Sequence, residues 1–223
     1  MGEAIQFESA GGGSAPGYLA DPAGGSSAPG LVVIQEWWGM NDQIKGVADR
    51  FAGAGYRALV PDLYHGRVTA EQDEANHLMT GLDWAGATRQ DVRGAAQHLK
   101  ATGSGKVAVM GFCMGGAITI IAGVHVPEVD AAVCYYGIPP EEAADPQKIR
   151  VPFQGHFANQ DDWCTPAAVD ALTAKLEAGG VTHELFRYDA QHAFFNEQRA
   201  EVYAAEAAEQ SWERTLAFLK AHL

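Results

Sequence analysis

Val107-Ala108-Val109-Met110-Gly111-Phe112-Cys113-Met114-Gly115-Gly116 is an apolar run that ends in the pattern G-x-C-x-G and leads into a small-residue helical stretch, Gly116 to Val126. A strand, a sharp turn and a helix in that order hold the central residue on a tight bend at the strand's end. Glycines two places before and two after it are needed, because a Cβ at either would collide with the neighbouring strand and helix backbones. The bend lifts the side chain out of the sheet and aims the N-terminus of the next helix at it. The usual occupant is a hydroxyl; here it is the thiol of Cys113.

Outward from this bend, strand and helix signals alternate. Residues 4–9 and 17–21 read as an opening hairpin around a Gly/Ser-rich turn. Leu31-Val32-Val33-Ile34 is a continuous buried-strand run. Ile44, Val47, Ala48 and Phe51 recur at helical spacing over 42–54, and Gly55 is a stop. Tyr56 to Pro61, Ala131 to Gly137, Val151 to Phe157 and His183 to Tyr188 read as strands. Residues 70–79 and 83–101 read as helices joined near Gly81. Thr165 is an N-cap with Pro166 at the first helical position of a helix to Glu177, and the last helix runs from Ala204 to Leu223. Such alternation predicts an α/β protein with a mostly parallel, doubly wound sheet and helices on both faces.

The chain has 223 residues, with no repeat and no linker, which predicts one domain over 1–223. A chain of this size buries roughly 70% of its unfolded surface. A net charge of −13 speaks against nucleic acid and anionic membranes as partners, since both need basic patches. Met1-Gly2-Glu3-Ala4 lacks a basic, apolar leader pattern, and no apolar run is long enough to span a bilayer. The three cysteines form no C-x-x-C pair, and an accessible thiol such as Cys113 belongs in a reducing cytoplasm.

In doubly wound sheets function collects at the carboxyl ends of strands. Four such ends carry reactive residues: Glu36, Cys113, the pair Asp161-Asp162, and His192. Nucleophile, acid, histidine is the chain order of α/β-hydrolases. A free thiol has a pKa of roughly 8.5, and both a helix N-terminus and an imidazole favour its thiolate. His192 would take the thiol proton and later activate water, while an aspartate fixes its tautomer. The oxyanion of the intermediate needs two backbone N–H donors, expected from Met114 and Trp37.

Plainer readings stand beside these. Cys134 lies in an apolar run and reads as inert core; Cys164 has no assigned chemistry. His65, His77, His98, His125, His156, His183 and His222 lack the placement of His192, and His156 with Asp161 fits no metal-ligand spacing. Trp37-Trp38 and Phe194-Phe195 flank the site as pocket walls or as packing.

Several motifs in order resemble the dienelactone hydrolase (carboxymethylenebutenolidase) family over nearly the whole length. They are Ile34-Gln35-Glu36-Trp37-Trp38-Gly39 with Asn41, Pro61-Asp62-Leu63-Tyr64, Gly111 to Gly116, Tyr135-Tyr136-Gly137, His156 to Asp162, His192-Ala193-Phe194 and Trp212-Glu213-Arg214-Thr215. The resemblance implies an α/β-hydrolase fold with a Cys113–His192–Asp triad, no metal or organic cofactor, and a small ester or lactone opened through a cysteinyl thioester. Trp38, Phe194 and Asn196 are the candidate substrate-contacting residues, and a monomer or small homo-oligomer is expected. The resemblance also implies that Glu36 engages the resting thiol and draws off its proton when substrate binds. Read forward from His156, the family's aspartate falls on Asp161; read backward from Pro166, it falls on Asp162. Asp161 is expected, because the segment before it fits without a gap. Members acting on dienelactone grip its carboxylate with arginines, one of them at the position of Asn196. The helix over 70–79 carries none, which leaves Arg67 and Arg199 as unplaced cations. A thioesterase or carboxylesterase of the same fold, and a non-catalytic thiol sensor, are the rival readings.

Overall fold

Continuous apolar runs, unlike alternating ones, belong to strands covered on both sides. In the computed structural model, which describes residues 1–223, eight strands are found. They are β1 (Glu3–Glu8), β2 (Ser14–Ala20), β3 (Gly30–Ile34), β4 (Arg57–Pro61), β5 (Val107–Phe112), β6 (Ala131–Tyr135), β7 (Phe153–Gln160) and β8 (His183–Gln191). They form one sheet in the order β1-β2-β4-β3-β5-β6-β7-β8. β1 and β2 pair antiparallel, as do β2 and β4; every other pairing is parallel.

Strands β3 to β6 are buried along their whole length, and successive residues serve opposite faces. Val32, Ile34, Val107 and Val109 enter one core; Leu31, Val33, Ala108 and Met110 enter the other. The helices are α1 (Asp42–Gly53), α2 (Gln72–Gly81), α3 (Trp84–Gly86), α4 (Arg93–Ala101), α5 (Met114–His125), α6 (Pro166–Ala178) and α7 (Ala205–His222). Leu99 of α4, Ile118 of α5 and Leu172 of α6 fill the first core. Phe51 of α1 and Phe218 of α7 fill the second. The expected doubly wound α/β sheet is therefore present. Thr165 is the N-cap expected, its Oγ1 accepting from the Ala168 N–H at 3.2 Å, and Asn41 Oδ1 caps α1 in the same way, accepting from the Ile44 N–H at 3.2 Å.

One element departs from the sequence reading. The single helix expected over 83–101 is broken, with a π-helical segment, Ala87–Val92, between α3 and α4. Here the Arg93 N–H reaches the Thr88 carbonyl, and the Ala10 N–H of the opening hairpin bonds the Gln90 carbonyl at 3.0 Å. The last strand also runs three residues beyond the Tyr188 expected, to Gln191.

Candidate active site

Because β3, β5, β6, β7 and β8 run parallel, their carboxyl ends share one edge of the sheet, where all four reactive positions emerge. Cys113 directly follows β5 with φ 57° and ψ −118°, a left-handed conformation that costs a non-glycine residue about 1–3 kcal/mol. A Cβ on Gly111 would land on the Gly115 carbonyl oxygen, and one on Gly115 would sit 2.5 Å from that of Ile34. The two glycines therefore let the elbow lie directly against the end of β3. Tyr136 (φ 36°) and Ala193 (φ 64°) are also left-handed, so three of the four strained non-glycine residues surround the site.

The register of β7 and β8 sets the acid–imidazole pair. An irregularity between Ala158 and Gln160 brings Gln160 opposite Gln191, so the next residues, Asp161 and His192, leave the sheet side by side. His192 Nδ1 lies 2.7 Å from Asp161 Oδ2. The other carboxylate oxygen accepts from the Trp163 and Cys164 N–H groups at 2.8 and 2.9 Å. Asp162 is exposed to solvent, away from this arrangement. Burial by itself disfavours the imidazolium. The Asp161 hydrogen bond and the adjacent Cys113 sulfur outweigh it and raise the His192 pKa to about 10. Burial likewise opposes ionisation of Asp161, but the hydrogen bond and charge of His192 and the two backbone donors hold its pKa below the ordinary value.

Glu36, two residues beyond β3, is buried. Its Oε1 accepts from the Tyr136 hydroxyl at 3.2 Å and its Oε2 from Asn196 Nδ2 at 2.8 Å. Burial pushes its pKa up, against the pull of Asn196, His192 and Tyr136. Glu36, Cys113 and His192 line one cavity of about 240 Å³, together with Trp37, Trp38, Met79, Trp163, Ala193 and Arg199. The Trp37 N–H makes no hydrogen bond within the protein, and the Met114 N–H is the first orphan donor of α5.

Other expected site residues fall elsewhere. Phe194 is fully buried among Tyr135, Tyr136 and Tyr188, in the core rather than against the cavity. Asn196 is also buried, donates to Glu36, and lines an adjoining cavity that shares Trp38 and Arg199 with this one. Arg67 lies outside the cavity, paired with Glu74. His156 is a satisfied core histidine: its ring bonds Tyr188, Gln154 and Thr215, and burial pushes its pKa down to about 3. No group of three or more His, Cys, Asp or Glu side chains could hold a metal ion. Sequence reading gave Tyr136, Met79 and Trp163 no role. Tyr136 had a signal, since it directly follows a strand on the functional edge; Met79 and Trp163 had none beyond nearness to assigned residues.

Residues 15–223 match the family described as Dienelactone hydrolase family. The chain belongs to the dienelactone hydrolase family. Protein usf of Aquifex pyrophilus is 34% identical over 233 residues, covering all of both chains. A relative from Aquifex aeolicus, provisionally named a carboxymethylenebutenolidase, is 30% identical, again over both full lengths. A crystal structure from Klebsiella pneumoniae, provisionally named a dienelactone hydrolase, superimposes with a TM-score of 0.85 at 27% identity. It covers 97% of this chain and 98% of that one. As a dienelactone hydrolase family member of α/β-hydrolase fold, the protein is a hydrolase acting on carboxylic esters or lactones. No helix is long and apolar enough to cross a membrane.

Proposed function

We propose that this hydrolase opens a small ester or lactone through a cysteinyl thioester on Cys113. In this reading the whole chain works as one cytoplasmic domain, alone or as a small homo-oligomer, without metal or organic cofactor. The supporting observation is one cavity shared by a thiol on a strained elbow, a buried carboxyl and an imidazole gripped by Asp161.

The steps proposed follow the protons. With its pKa raised to about 10 by Asp161 and by the Cys113 sulfur itself, His192 is suited to give a proton to the departing oxygen, which leaves the buried carboxyl of Glu36 to take the thiol proton. Glu36, whose pKa is raised by burial, takes that proton as substrate enters. The thiolate attacks the carbonyl carbon, and the S–C bond forms as the carbonyl electron pair moves to oxygen. The Met114 and Trp37 N–H groups stabilise that oxyanion; one such donor is worth about 10²–10³-fold in rate. Collapse breaks the C–O bond, and His192 protonates the departing oxygen, which stays tethered in a lactone. Neutral His192 then deprotonates a water that attacks the thioester. The S–C bond breaks, the acid leaves, and Glu36 returns its proton to the sulfur.

The test is turnover of p-nitrophenyl acetate with mass spectrometry of the quenched enzyme. Wild-type protein should carry an acetyl adduct on Cys113. Cys113→Ala should lose both the adduct and all turnover above the uncatalysed rate; unchanged turnover would end the proposal.

A further inference from the structure

We infer that the cavity beside Cys113 selects an uncharged, flat acyl group, an aryl or cyclic ester or lactone bearing no carboxylate. This rests on the hydrolase reading above and names the substrate class of the same site. The walls are apolar: Trp37 and Trp38 meet edge to face with ring centroids 5.0 Å apart, and Met79 lies on the same surface. Trp163 stands at the lip with 42% of its surface exposed, its ring 5.4 Å from that of His192. Its backbone N–H donates to Asp161, and the indole is partly bare to water next to the reacting groups. A flat apolar ligand face would cover it. At about 240 Å³ the space suits one or two rings.

The charges in the cavity point the same way. Arg199 is the one arginine or lysine lining it, and it is already engaged. Its Nε and Nη2 both lie 2.8 Å from Glu201 Oε1, and its guanidinium carbon sits 5.7 Å from the Trp38 ring centroid. A substrate carboxylate would have to compete with Glu201 for that edge of the guanidinium or share the cation with it. The imidazolium of His192 is matched by Asp161. Glu36 adds a carboxyl to the same walls, and the chain's net charge of −13 repels anions from outside.

The experiment compares p-nitrophenyl phenylacetate with its ring-carboxylated analogue, p-nitrophenyl 4-carboxyphenylacetate, which keep the same leaving group and acyl skeleton. Wild-type kcat/KM should favour the neutral ester by about tenfold or more, mainly through KM. Glu201→Gln, which releases Arg199, should narrow that ratio by improving the carboxylated ester. Trp163→Ala should raise KM for the phenylacetate several-fold more than for p-nitrophenyl acetate, whose acyl group is too small to reach the indole. Equal or better turnover of the carboxylated ester by wild-type enzyme would overturn the inference while leaving the hydrolase reading intact. No turnover of any ester by wild-type protein would instead bring down the hydrolase reading, and this inference with it.

Discussion

At the scale of single residues the site is a set of opposed protonation preferences. Asp161 is pushed toward its ionised form by His192 and two backbone donors, His192 toward imidazolium by Asp161 and the Cys113 sulfur, and Glu36 toward its neutral form by burial. Environments that separate the pKa values of neighbouring groups are what assign acid and base roles. Asn196 is a positioning residue here, because it touches Glu36 rather than the cavity beside Cys113. Its amide donates to the ionised carboxylate and so lowers the Glu36 pKa against the larger effect of burial. Removing that donor in Asn196→Ala should raise the pKa further. Glu36 accepts the thiol proton only when ionised, so the acid limb of the kcat/KM profile should move to higher pH. Asn196→Asp would not restore it, since a second carboxyl raises the first still more. A pH profile that keeps its acid limb in Asn196→Ala would separate Glu36 from the proton transfer. A purely structural Asn196 would change stability and leave the limb in place.

At the scale of elements, the site is made by strand ends and tight turns. That is why so much of it could be read from the sequence. G-x-C-x-G after an apolar run carries its own geometric demand, and continuous strands such as Leu31 to Ile34 announce burial on both faces. Gly115 bears this demand most directly, since its Cβ would press on the carbonyls of both Ile34 and Gln35. These are backbone atoms of a fully buried strand and the residue after it, so neither can give way cheaply. Gly115→Ala should therefore cost several kcal/mol, on the order of 3 or more, and lower the urea midpoint of unfolding sharply. Should its stability match the wild type, the elbow would not be held against β3. The π-helical segment had no such signature. It coincides with a bond from Ala10 to Gln90, residues far apart in sequence, and local periodicity is blind to such a contact. The same limit explains the aromatic residues. Trp38 and Phe194 both sit just beyond strands, yet one lines the cavity and the other packs in the core, according to how each loop turns.

At the scale of the whole molecule, the cavity depends on connections widely separated along the chain, so it exists only while the sheet keeps its order. Sequence order along the chain revealed the four reactive strand ends. It could not reveal that Met79, Trp163 and Arg199 converge on one surface, because that follows from loop paths and from the β7–β8 register. The edge of the sheet that carries Asp161 and His192 is itself tied down by a buried polar network. His156 of β7 bonds Tyr188 of β8 and Thr215 of α7, and Tyr188 accepts from Arg214 Nη1 at 3.1 Å. Burial leaves His156 neutral down to about pH 3, whereas in the unfolded chain it protonates near 6.5. A basic group with a depressed folded pKa costs nothing at high pH, when both states are neutral. As pH falls below 6.5 the unfolded state alone gains the proton, and stability drops by up to about 1.4 kcal/mol per pH unit. Glu36, with its raised pKa, works in the opposite direction at lower pH, so the decisive quantity is a difference between variants. Gln at position 156 keeps polar groups in the network but cannot titrate. Between pH 6.5 and 5, the wild type should lose about 1.7 kcal/mol more of its urea-unfolding free energy than His156→Gln does. Parallel curves for the two proteins would mean that His156 is charged in the folded state and that this edge of the sheet is held by an ion pair instead.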